Sequence, residues 1–104
     1  MTDSKNNFHS FAEFYPYYLR EHQHPTCRRL HLLGSLLVVA TLIWALLSAS
    51  PMLLWALPVI GYGFAWVGHF FFEKNRPATF RHPLYSFIGD WVMAKDMLTG
   101  RLPL

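Results

Sequence analysis

Two long stretches of this chain carry no charged residue, Leu32 to Ala49 and Met52 to Phe72. Each is about the length an α-helix needs to cross a hydrocarbon core of roughly 30 Å at about 1.5 Å per residue. Between them stands Ser48-Ala49-Ser50-Pro51, a polar turn signal with room only for a tight connection. The pattern predicts two antiparallel spans, over residues 30–50 and 52–72. Pro58 falls near the start of the second, where a membrane helix tolerates it.

The flanks pattern differently. Phe8, Phe11, Tyr15, Tyr18 and His22 recur at helical spacing, with Ala12 and Leu19 alongside, which predicts one apolar stripe. Ser10 and Glu13 have the spacing of a capping box, so a helix is expected to start near Ser10; Pro16 argues for a kink or a later start. Pro25 breaks the pattern and pushes His24 out of helical geometry. Residues 1–29 thus read as an amphipathic segment along a membrane interface, with Met1 to Asn7 polar and frayed. Beyond the Asn75-Arg76-Pro77 break, residues 83–100 form a second amphipathic helix. Its Asp90, Lys95 and Asp96 favour the interface or a shallow insertion over a third span. The expected fold is an all-α integral membrane protein, a two-span antiparallel helical hairpin flanked by amphipathic interfacial helices. It makes one domain over residues 1–104.

Composition sharpens this. Only 14% of the residues are charged, against about 25% in soluble domains, and the apolar ones are bunched rather than spread. A buried soluble hairpin fits such uninterrupted lengths less well. A cleaved signal peptide fits poorly too, because about thirty residues precede the first run. The net charge of +3 is divided between the two polar ends, which suits anionic head groups and gives no indication of nucleic acid. The turn holds no Lys or Arg, whereas Arg20, Arg28, Arg29, Lys74, Arg76 and Arg81 flank the other side, which predicts both termini in the cytoplasm. Cys27 is alone, with no partner for a disulfide or a zinc motif.

The hairpin brings chemistry together. His31 lies 19 residues before Ser50 and His69 lies 19 after it, so two helices of equal pitch set both histidines at one depth. Gly61, Ala65 and Gly68 form a small-residue face that permits close approach, and Gly34 can serve the same purpose. The Pro25 break lets the first segment fold back and bring His22 over the hairpin, so His22, His31 and His69 can converge. On an α-helix Glu73 would stand one turn from His69 on the same face. His24 and His82 lie within reach, while His9 reads as a surface residue. Neutral imidazoles suit iron, zinc and copper, and a neighbouring carboxylate favours non-haem iron. Asp90 can orient a ligand histidine. Arg76, with Arg28 ahead of the first span, is the candidate to receive a substrate carboxylate.

These residues carry a resemblance. Tyr18-Leu19-Arg20-Glu21-His22, Pro25, Leu30-His31, Gly68-His69 and Phe72-Glu73-Lys74-Asn75-Arg76-Pro77-Ala78, then Pro83-Leu84-Tyr85-Ser86 and Gly89-Asp90-Trp91, are similar to the Mpo-like family over nearly the whole chain. The resemblance implies an Fe(II)-dependent dioxygenase of fatty acid α-oxidation. Such an enzyme uses molecular oxygen to cut a 2-hydroxy fatty acid to the acid one carbon shorter plus carbon dioxide. The family's histidine pattern maps onto His22, His31 and His69. This chain is a short form that lacks the additional hydrophobic segments and a mid-chain histidine of the longer fungal type. Glu73, His24, His82 or a second subunit of a homo-oligomer stays open as the source of a fourth ligand. Two other classes also stay open: a hairpin that clamps haem between two histidines for electron transfer, and a non-catalytic membrane adaptor.

Overall fold

The computed structural model of the protein describes residues 8–104, and the expectation for Met1 to Asn7 lies outside them. Helix α1 spans Phe11–Arg20 and α2 spans Pro25–Leu47. A 3-10 turn over Pro51–Trp55 leads into α3, Ala56–Val67, which continues as a π-helical stretch over Gly68–Glu73. A short 3-10 turn at Ala78–Phe80 precedes α4, Pro83–Leu98. There is no strand among the described residues.

Helix α1 begins where its cap dictates. Ser10 is extended, and its hydroxyl accepts the Glu13 backbone N–H at 3.2 Å. Glu13 answers by accepting the His9 backbone N–H at 3.1 Å, one residue upstream of the usual reciprocal partner. Pro16 sits inside the helix and does not delay its start. Ser10→Ala should therefore cost about 1 kcal/mol, read as a lower thermal midpoint in detergent with the spans unchanged. No change in that midpoint would mean the cap is idle.

Helix α2 starts at Pro25, earlier than the expected residue 30. Proline needs no hydrogen-bond partner at the first helical position, and the His24 imidazole caps the helix by accepting the Thr26 N–H at 3.1 Å. The second apolar run differs more. It is not one uniform α-helix but is wound tightly at the Pro51 end, regularly in the middle and widely at Gly68–Glu73. Even so, both runs are long and apolar enough to cross a membrane, over Pro25–Leu47 and Pro51–Glu73. Their outward faces carry Trp44, Leu46, Leu47, Val59 and Phe71, each more than half exposed.

The compact core lies at the open end of the hairpin. Phe14 and Tyr18 of α1, Ala78, and Met93 and Met97 of α4 are buried together there. Helix α4 packs along α2 and against α1. Gly89 makes this possible, because a Cβ there would stand 2.9 Å from the Tyr18 ring. Two long-range hydrogen bonds lock the pair, from Tyr15 Oη to Asp96 Oδ2 at 2.7 Å and from Tyr18 Oη to Asp90 Oδ1. The α1–α4 cap seals the end of the hairpin, and the histidines lie beneath it.

Candidate metal centre

The hairpin does what its count requires. His31 and His69 face each other with ring centroids 5.0 Å apart, and His22, carried by the turn after α1, inserts between them at 4.5 and 4.3 Å. All three are buried. Close helix approach enforces the arrangement: a Cβ on Gly34 would meet Phe64 Cβ at 3.0 Å, and one on Gly68 would meet Cys27 Sγ at 2.9 Å.

The hydrogen bonds fix which ring nitrogen is free. His22 Nδ1 faces the Tyr18 carbonyl at 2.6 Å, His31 Nδ1 the Cys27 carbonyl at 2.9 Å and His69 Nδ1 the Asn75 Oδ1 at 2.7 Å. Asn75 presents its oxygen to His69 because its amide nitrogen donates to the Glu21 carbonyl at 3.1 Å. An oxygen of this kind only accepts, so each Nδ1 donates its hydrogen and each Nε2 keeps a lone pair. Those Nε2 atoms point at one another, His22 to His31 at 3.2 Å and His69 to His22 at 2.8 Å. With no hydrogen between them these are not hydrogen bonds but converging lone pairs, an arrangement that can take a cation. Burial adds to it by holding the His22 imidazole well below its usual pKa, so it is neutral and ready to donate. The three side chains can hold one metal ion, since their donor atoms all lie within 4.8 Å of one another. Ligands about 2.0–2.1 Å from an ion have similar mutual spacings, and a second ring nitrogen bonded to an oxygen is the usual support of a ligand histidine.

Asp90 is the carboxylate at this site. Its Oδ1 is 4.0 Å from His31 Nε2 and accepts the Tyr18 hydroxyl hydrogen. Burial raises its pKa to about 6, an effect the Tyr18 bond partly offsets. Glu73 is not one of the three converging donors; its carboxylate accepts the His24 backbone N–H. His24 is occupied as the α2 cap, and His82 lies among the Phe8, Phe14 and Tyr17 rings. Neither joins the cluster. Arg28 spends its Nε on the His22 carbonyl at 2.5 Å, which braces the turn that carries His22. Arg76 is exposed on the loop just before buried Pro77.

Four residues here escape a reading of the chain alone: Tyr18, Asn75, Tyr62 and Ser86. Asn75 follows Lys74, whose left-handed backbone (φ 60°) ends the π stretch and swings the amide back over His69. Ser86 is buried at the site and its hydroxyl has no hydrogen-bond partner. It lines a small cavity of about 10 Å³ together with the three histidines, Tyr62 and Asp90. That is room for one ion or water and far too little for a porphyrin. A larger cavity of about 400 Å³ adjoins it, sharing His31, Tyr62, Ala65 and Asp90, and runs between α2 and α3 as far as Leu42 and Leu57.

Fold and site together define an all-helical hairpin protein with a candidate three-histidine metal centre at the polar end of an apolar groove. The family model described as 2-hydroxy-palmitic acid dioxygenase Mpo1-like matches residues 8–102, and the chain belongs to that family. No curated protein and no solved structure matches it.

Proposed function

We propose that the protein is an integral membrane, non-haem Fe(II) dioxygenase that shortens 2-hydroxy fatty acids by one carbon. One 2-hydroxy acid and one O2 would give the acid one carbon shorter, one CO2 and one water. The observation that carries this reading is the convergence of three Nε2 lone pairs, each fixed by an oxygen on the opposite ring nitrogen. Three imidazoles beside a carboxylate are a donor set suited to a redox-active iron with open positions. Iron bound there would supply the electron transfer to O2 that cleavage between C1 and C2 requires.

The chain's own residues have definable tasks. His22, His31 and His69 hold the ion, and Asn75 keeps the His69 ring in register. Asp90, beside His31, is placed to accept the proton of the substrate's 2-hydroxyl, with Tyr18 orienting the carboxylate. Ser86 offers a hydroxyl to the substrate head group where burial leaves it no other partner. Arg76 and Arg28 supply positive charge on the side where the carboxylate would enter. The site lies at the Lys- and Arg-rich end of the hairpin, opposite the uncharged turn, which favours a cytoplasmic placement for the centre and both termini. One chain contributes all three histidines, so an oligomer is not needed to assemble them.

The test is anaerobic purification in detergent with iron, followed by 2-hydroxyhexadecanoic acid and O2. Pentadecanoic acid and CO2 in equal amounts, from protein with about one iron per chain, is the expected result. Iron-loaded protein that forms neither product in detergent or in bilayers would overturn the assignment, and a Soret band would turn it toward haem.

A further inference from the structure

Three glycines face the interior of the hairpin, and they do not behave alike. At Gly34 and Gly68 an added Cβ would collide with the other helix, at 3.0 and 2.9 Å. At Gly61 it would meet only Val38 Cγ2 at 3.6 Å, ordinary van der Waals contact. Helix packing therefore explains the first two glycines but not the third. Glycine in a helix interior is unfavourable by about 0.5–1 kcal/mol relative to alanine, so its presence at 61 asks for a reason. Gly61 lines the 400 Å³ cavity, opposite Val38, at the level where the groove leaves the polar site behind.

The polar lining of the groove, His31, Ser35, Tyr62 and Asp90, lies toward the donor site; farther along, Val38, Leu42 and Leu57 line it. His31, Ser35, Val38 and Leu42 are one face of three turns of α2, about 16 Å at 1.5 Å per residue. An extended hydrocarbon advances about 1.25 Å per methylene, the projection of a C–C bond of about 1.5 Å, so this length takes roughly a dozen methylenes. The occupant with that chemistry is an amphiphile whose head lies at the donors and whose tail is a long saturated chain. Resting on the dioxygenase reading above, we propose that this groove is the acyl-tail subsite and that Gly61, by having no side chain, is the residue that admits long chains.

In a bilayer the tail is already surrounded by hydrocarbon, so moving it into the groove gains little from the hydrophobic effect. Selection by the groove is steric, and it has a place. Gly61 lies 8 residues from His69, about 12 Å down the helix. The six carbons beyond C2 of 2-hydroxyoctanoic acid extend about 7.5 Å and stop short of it, while a hexadecanoic tail must pass it.

The experiment measures equilibrium binding of 2-hydroxyoctanoic and 2-hydroxyhexadecanoic acids by calorimetry to the full chain in nanodiscs. Wild type would be set beside Gly61→Ala, Gly61→Leu and Val38→Phe, the last plugging the groove from the opposite wall if Gly61→Leu fails to fold. Metal content and thermal midpoint are recorded for each. Gly61→Leu and Val38→Phe should weaken binding of the long acid at least tenfold and of the short acid less than twofold, and Gly61→Ala, whose methyl enters the groove, should weaken the long acid between twofold and tenfold and leave the short acid within twofold. Equal effects on the two acids, or none, in a folded and metal-loaded plugged variant would overturn the proposal and leave bulk lipid as the groove's occupant. The two readings fail separately. Length-selective binding without oxidative cleavage removes the dioxygenase but keeps the tail subsite; turnover whose length preference the plugs do not alter does the reverse.

Discussion

Replacing His69 by Ala should leave iron-replete protein with less than a tenth of the wild-type metal, while the chain still inserts and keeps its helices. The expectation follows from what each histidine contributes. Altering a residue that merely supports a ligand costs about 10–100-fold in affinity, and His69 is itself one of the three proposed donors. Its removal also leaves the Asn75 oxygen without the 2.7 Å bond from Nδ1, so the loop that closes the π stretch loses its anchor. His31→Ala should do the same from the other span, whereas His9→Ala, exposed and remote, should change nothing. Elemental analysis decides it, beside circular dichroism to show that the fold survives. Wild-type iron in both folded variants would remove the centre from this position.

The three-histidine cluster is partly legible in the sequence. A tight turn at Ser50 and two uncharged runs impose antiparallel helices, and equal residue counts then place His31 and His69 at equal depth. The Pro25 break made room for His22, and the Ser10 cap was written in the sequence as a side chain three residues from Glu13. Glu73 shows where this reading ends. Its spacing from His69 does not reveal that its carboxylate turns to the His24 backbone N–H, nor that the chain widens there and ends in a left-handed lysine rather than the glycine that usually signals such a stop. Winding of this kind is decided by tertiary contacts, here Asn75 with Glu21 and Glu73 with His24, that span about fifty positions. The same is true of α4. Its Asp90 and Asp96 each accept a hydrogen bond from a tyrosine of α1 that no local pattern links to them.

The contact that joins the two spans should be as sensitive as the ligands. A Cβ on Gly68 would lie 2.9 Å from Cys27 Sγ and 3.1 Å from Cys27 Cα. Cys27 is fully buried, and a backbone atom cannot swing aside, so neither neighbour can yield. Gly68→Ala should therefore destabilise the hairpin by about 1–3 kcal/mol, and Gly68→Leu by more, seen as a lower thermal midpoint in detergent. Metal should be lost as well, because Gly68 adjoins His69 and Cys27 stands one turn from His31, whose Nδ1 it holds through its carbonyl. The spacing that packs the helices is the spacing that sets the Nε2 atoms together. Cys27→Ala offers the check: it removes the sulfur but not the Cα, so combined with Gly68→Ala it should restore part of the loss. Contacting residues couple by about 0.5–3 kcal/mol in such a cycle. Strict additivity of the two substitutions would mean that Gly68 is not there to admit Cys27, and the centre would have to owe its geometry to something other than this approach of the spans.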